Sequence, residues 1–253
     1  MSFGARSSMA GIGKHGSRAV SSVARSSIAL AVLALGCSRP AAVIPDRSGP
    51  APQTAAEAEA ALALLRANEP VSFKMVHQVA ARYQDQTYLM NGYLLGRKDG
   101  SFRVSAAAAV GPRIFDVAKV DGKWEAKVHL RPVADRLDPK HVGLAVERIY
   151  FLDASGPLKR DGEYWVSRSA VPSAQELDVI EVWRDGQTLA VLRKRFFKES
   201  RVVVDITYDK LERRDAHWIA RHVRLVSGDG YSLELEVSEY DPRFPVPDDK
   251  LQV

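Results

Sequence analysis

The sequence predicts a mainly β, α+β domain built on a large antiparallel sheet, and three observations predict it. From Val71 onward, apolar and polar side chains alternate with period two, in segments rich in Val, Tyr, Phe and Trp; strands buried on one side have that pattern. Asp-Gly pairs punctuate these segments at Asp99-Gly100, Asp121-Gly122, Asp185-Gly186 and Asp229-Gly230. Such pairs signal hairpins, because a type I′ turn needs positive φ at both central residues. Only two segments carry a helical stripe, so a sheet with so few helices must curl to cover its apolar face.

The elements follow in order. Thr54-Ala55-Ala56-Glu57 is a capping-box pattern, in which the threonine and glutamate each satisfy an orphan N–H at a helix start. Ala58, Ala61, Leu62 and Leu65 continue it as one apolar stripe, and Asn68 and Pro70 end the helix. Strands are expected near 71–83, 86–98, 101–110, 113–120, 123–130, 163–168, 176–184, 187–197, 201–212, 217–227 and 231–239. One segment interrupts them. Asp138-Pro139 reads as an N-cap followed by proline at the first helical position. Val142, Ala145, Val146, Ile149 and Tyr150 then recur at helical spacing, giving a helix at 139–151. The flanking loops 131–138 and 153–162 are where flaps are expected. Residues 241–253 read as an irregular tail anchored by Phe244, with Asp248-Asp249 as a solvated turn.

Alternation also fixes which side chains point inward. Val202, Val204, Ile206 and Tyr208 alternate with Arg201, Asp205 and Asp209, and Leu233, Leu235 and Val237 alternate with Ser232, Glu234, Glu236 and Ser238. A slip of one residue would bury the acids instead. Val142, Ile149, Val204, Ile206, Leu233 and Leu235 are therefore the candidate residues for an apolar cavity. The pattern leaves open whether such a cavity exists or whether helices and side chains fill it.

The N-terminus reads as a signal peptide over residues 1–36. A basic n-region carrying Arg6, Lys14, Arg18 and Arg25 leads to the apolar run Ile28 to Leu35. That run is too short for a spanning helix and suits a signal core. Met9 is an alternative start. Removing 1–36 takes away those four bases and no acid, leaving the remainder near neutral. The high overall pI is therefore no argument for nucleic-acid binding. Cys37 is the only cysteine, so no intramolecular disulfide can form. Residues 37–53, with Pro40, Pro45, Pro50 and Pro52, read as a tether, and a single domain is expected over 54–253.

The sequence carries no recognisable catalytic constellation. Gly11-Ile12-Gly13-Lys14-His15-Gly16 has the dinucleotide-binding spacing but lies in the n-region and follows no strand. His217 and His222 are five apart on an expected strand, so they face opposite ways. No zinc, nucleophile-elbow or paired-cysteine motif occurs. His77 and His129 read as polar strand residues. Arg193-Lys194-Arg195 reads as a basic run split across two faces. The expectation is a protein that is not an enzyme and holds neither cofactor nor metal.

Ala34-Leu35-Gly36-Cys37 resembles the bacterial lipobox, although leucine is usual where Ala34 stands. The resemblance implies cleavage before Cys37, a diacylglyceryl thioether on its sulfur, and acylation of the new amine with chains such as palmitate. Ser38, in place of aspartate, favours the outer membrane by the same resemblance. The domain itself resembles the lipoprotein-carrier superfamily of the Lol system. The likeness rests on sheet segments Gln86–Arg97, Ser101–Val110 and Arg113–Val120, the helix 139–151, and the closing block Val202–Tyr208, Trp218–Val226 and Tyr231–Tyr240. It implies an unclosed, curved antiparallel β-barrel with helices on its concave side and an apolar space between them. Further implied are acyl chains of lipoproteins or lipids as ligands, the membrane and a periplasmic carrier as partners, and a lipid-anchored monomer on the periplasmic face of the outer membrane. The loop Ala109-Val110-Gly111-Pro112 is the candidate for the receptor members' protruding apolar residue. A non-catalytic interaction module or envelope-stress sensor with a filled core is the alternative.

Overall fold

The computed structural model describes residues 52–83, 85–131, 138–162, 164–171, 176–185, 188–214 and 217–253. The expected signal peptide, Ala34, Leu35, Gly36, Cys37 and nearly all of the tether lie outside them. So do Gly186 and most of the flap expected at 131–138.

Helix α1 (Ala55–Ala67) precedes β1 (Ser72–Tyr83), β2 (Gln86–Arg97), β3 (Phe102–Ala108), β4 (Arg113–Val120) and β5 (Lys123–Val128). Helix α2 (Pro139–Tyr150) precedes β6 (Leu158–Asp161), β7 (Tyr164–Val171), β8 (Glu176–Asp185), β9 (Thr188–Lys198), β10 (Arg201–Arg214), β11 (His217–Ser227) and β12 (Tyr231–Asp241), and α3 (Asp248–Leu251) follows. All the strands join one 12-stranded sheet in the order β5-β4-β3-β2-β1-β12-β11-β10-β9-β8-β7-β6. Every pairing is antiparallel. The sheet is curved and not closed: β5 and β6 are its two edges. Two meanders meet at the single non-sequential pair, β1 with β12. The connection from β5 to β6 must pass from one edge to the other, and α2 lies on that path.

Both helix starts form as the side chains dictate. The Thr54 hydroxyl accepts from the Glu57 N–H and the Glu57 carboxylate accepts from the Thr54 N–H, completing the capping box. Asp138 accepts from the Lys140 N–H at 2.9 Å, with Pro139 in the first turn. Helix α1 packs on β9 and β6, and α2 on β4 and β5. The inner face of the sheet and α2 share the main core, which includes Phe73, Leu94, Phe102, Phe115, Phe196, Ile206 and Leu225. A smaller cluster of Ala58, Leu62, Ala154, Leu158 and Trp165 lies under α1.

Several expectations need correction. The stretch 153–162 contains β6, a four-residue edge strand too short to show a period. The tail is not irregular throughout: Asp248-Asp249 open α3, and Val246 and the fully buried Leu251 anchor the segment, whereas Phe244 is only half-buried. Leu251 sits where α3 packs on β3 and β4, beside the outward residues Asp116 and Ala118 of β4, which are buried as well. His129 is more than a polar strand residue, because its Nε2 lies 2.7 Å from the buried Asp116 carboxylate. Burial pushes the Asp116 pKa up, but hydrogen bonds from Ser105, His129 and Arg103 outweigh it and hold the group below its ordinary value. The turns differ too. Positive φ at both residues occurs at Asp121-Gly122, while at Asp99-Gly100 and Asp229-Gly230 only the glycine adopts it. At the first of these, Gly100 N–H donates to Arg97 O and Arg97 N–H to Ser101 O, the longer hairpin in which glycine follows a tight turn.

Candidate ligand-binding site

Helix α2 is seated by complementary contacts on both sides. Gly143 lets it lie flush on the sheet: a Cβ there would come within 2.5 Å of the Trp124 ring and 2.9 Å of Val117. Glu147 is ion-paired with Lys119 of β4. At the C-terminal end, Phe102 stacks on Phe151 at 5.1 Å and meets Trp124 edge-on at 5.7 Å. Ala145, Val146 and Ile149 are buried against the sheet. Val142, one turn before this row on the same stripe, and Leu144, to its side, are only half-buried and border a space beside the helix.

That space is a cavity of about 560 Å³, within the usual range for small-molecule sites. Val142, Leu144 and Ala145 of α2 form one wall, and Val204 of β10 and Leu225 of β11, each about 2% exposed, form its floor. Gln86, Asp138, His141 and Asp229, all exposed, ring the mouth together with Arg148. Arg148 stacks over the Phe196 ring at 5.3 Å. Tyr88 and Tyr231 stand between rim and floor. The Tyr88 hydroxyl donates to Gln86. The Tyr231 hydroxyl is buried and has no hydrogen-bond partner among the described residues. Burial, with Asp229 adding to it, pushes the Tyr231 pKa well above the ordinary tyrosine range, so the group stays a neutral O–H.

A second cavity, of about 180 Å³, lies further along the same inner face, between the ends of α1 and α2 and strands β9 to β11. Several of its polar groups bond one another. Lys194, only 3% exposed, donates to the carbonyls of Ile149 at 3.1 Å and Leu152 at 2.8 Å and is ion-paired with Asp153 at 2.7 Å. The Tyr208 hydroxyl donates to Ile149 O at 2.7 Å. These bonds satisfy carbonyls at the end of α2 that would otherwise be orphaned. Burial would raise the Asp153 pKa, but Lys194 and Arg66 overcome it and hold the carboxyl low. Beside them, His77 Nε2 and the Tyr150 hydroxyl are 2.8 Å apart. Burial drives the His77 pKa down to about 4 despite a backbone hydrogen bond at Gly92, and pushes Tyr150 up. Both are neutral at pH 7, so neither is poised as a general base or acid near neutrality. Among the described residues, no group of three or more His, Cys, Asp and Glu could hold a metal.

The six candidate cavity residues separate into three sets. Val142 and Val204 line the larger cavity and Ile149 the smaller one. Ile206, Leu233 and Leu235 face the same side of the sheet but are packed in the core and line neither. The reason is lateral: neighbouring strands bring their own apolar side chains over them, as Leu225 does in register with both Ile206 and Leu233. Residues outside the candidate set include Leu225, Tyr88, Tyr231 and Lys194. Tyr231 shares the parity of Leu233 and Leu235, and Lys194 shares that of Phe196, so their inward direction had a signal. In the candidate protruding loop Ala109-Val110-Gly111-Pro112, Val110 is 98% exposed.

No protein-family model matches the sequence, and no curated protein matches it. Among solved structures, the chain is similar to a DUF1329 family protein from Desulfovibrio piger, at 12% identity over 78% of this chain and 96% of that one, with a TM-score of 0.45. It is also similar to a LolA superfamily protein from Nitrosomonas europaea, at 11% identity over 78% of this chain and 97% of that one, with a TM-score of 0.44.

Proposed function

We propose that this protein is a lipid-anchored binding protein of the periplasmic face of the outer membrane, which buries an acyl chain of a lipoprotein or lipid without covalent chemistry. The observation that carries the reading is the cavity of about 560 Å³ between α2 and the sheet, apolar on wall and floor and charged only at its mouth. Each methylene moved from water to that floor contributes about 0.8 kcal/mol, so burying part of one chain gives an affinity that is useful yet reversible. The same cavity argues against an interaction module with a filled core. Anchoring rests on the lipobox-like Ala34-Leu35-Gly36-Cys37 and the segment before it; no described helix is long and apolar enough to cross a membrane.

Two experiments test the two halves of this reading. Organic extraction and mass spectrometry of the purified protein are expected to release a co-purifying acyl lipid. A fluorescent acyl probe is expected to saturate the protein with single-site behaviour, and absence of both lipid and probe binding would return the filled-core module. For the anchor, radioactive palmitate is expected to label the wild type and not Cys37→Ala; an unlabelled wild type refutes it.

A further inference from the structure

On the acyl-binding reading above, we infer that Leu225, backed by Ile206, is the chain-length stop of the site: it ends the larger cavity and keeps a bound chain out of the smaller one. The two hollows follow one another along the inner face of the sheet, and three elements mark where they part. On β11, Leu225 lines the larger cavity and Val223, the next inward residue, lines the smaller. On β10, Val204 lines the larger and Tyr208 the smaller, with the fully buried Ile206 as the inward residue between them. On α2, Ala145 and Arg148 border the larger and Ile149 the smaller.

The register places the partition in one row. Ile206 pairs with Leu225 on one side and with Lys194, a residue of the smaller cavity, on the other. Two residues of strand span about 7 Å, so Leu225 and Val223 put the hollows about one side chain apart. The helix is tied down at this place. The Tyr208 hydroxyl and the Lys194 ammonium both donate to the Ile149 carbonyl, at 2.7 and 3.1 Å. Side chains, and not a lifting of α2, therefore set the clearance. A chain with its head at the charged rim meets Val204 and then Leu225, and its terminal methyl ends there. Beyond lies space of about 180 Å³, room for several more methylenes that the stop withholds.

The test uses the full chain and straight-chain fatty acids of increasing length, each competing with one fluorescent acyl probe. In wild type, affinity is expected to rise about fourfold for each added methylene and to stop rising at a fixed length. Leu225→Ala leaves a hole that its surroundings fill only in part, and the rise is expected to continue for several further methylenes. Adding Val223→Phe to that variant fills the smaller cavity and is expected to bring the cut-off back to the wild-type length. An extension that survives Val223→Phe is only the hole left by the leucine, and it overturns the inference, as does a cut-off that Leu225→Ala leaves in place. Should Leu225→Ala fail to fold, Leu225→Val is expected to move the cut-off the same way by less, and an unmoved cut-off overturns the stop. A wild type without any cut-off refutes the stop and leaves the acyl-binding reading standing. A wild type that binds neither probe nor fatty acid refutes both.

Discussion

The two cavities on the inner face share a sheet and a helix yet differ in how their polar groups are satisfied. Around the smaller one, Lys194, Asp153, Tyr208 and the end of α2 bond one another, and His77 lies against Tyr150. Around the larger one, charges stand at the exposed rim and a buried hydroxyl lacks a described partner. A closed polar network rigidifies the place where it sits. One end of α2 is thus held by polar contacts, and on the acyl-binding reading the other end is the binding wall.

Removing the support gives the largest expected effect. Lys194→Met keeps the stem but strands Asp153 and the carbonyls of Ile149 and Leu152, and it is expected to cost about 3 kcal/mol in a urea melt. Loss of under 1 kcal/mol would show that this network holds nothing in place. Acid is expected to act on the same end. The His77 pKa is depressed to about 4, below roughly 6.5 in the unfolded chain. The unfolded state therefore takes up the proton first. This contribution to stability is complete above the unfolded value and is lost as pH falls through the window from about 6.5 to about 4. Stability at pH 5 is expected to be about 2 kcal/mol below that at pH 7, and His77→Gln is expected to flatten that slope.

The binding wall should respond differently. Leu225→Trp adds bulk where the floor borders empty space, so acyl-probe affinity is expected to fall about tenfold, or about 1.4 kcal/mol, with little change in melting temperature. A large fall in stability with unchanged binding would reverse the assignment of the two ends. The smallest effect is expected at α1, whose Leu65 borders the smaller cavity. Thr54→Ala removes half of the capping box and is expected to cost about 1 kcal/mol while leaving probe affinity at the larger cavity unchanged.

Much of the fold was legible because its signals are local. The capping box at Thr54, the Asp138-Pro139 start and the alternation of β10 and β12 each name a conformation within a few residues, and the sheet and both long helices stand where they indicate. Other features had no local signal. Glu199 and Ser200 both take positive φ between β9 and β10, although neither residue type favours it. The four residues of β6 pair only because β7 lies beside them.

Residue order alone sets which faces are wet, where the long helices begin, that the one thiol is Cys37, and that Val204, Ile206, Leu233 and Leu235 share one side of the sheet. That Val204 borders a hollow while Ile206, Leu233 and Leu235 are packed over follows from the assembled fold. So does the burial of Lys194, one base in a run of three, beneath the end of α2. Period two fixes the direction of a side chain but says nothing of what stands opposite it. What stands opposite is set by contacts remote in sequence: the pairing of β1 with β12, and the seating of α2 on β4 and β5, where Gly143 meets Trp124.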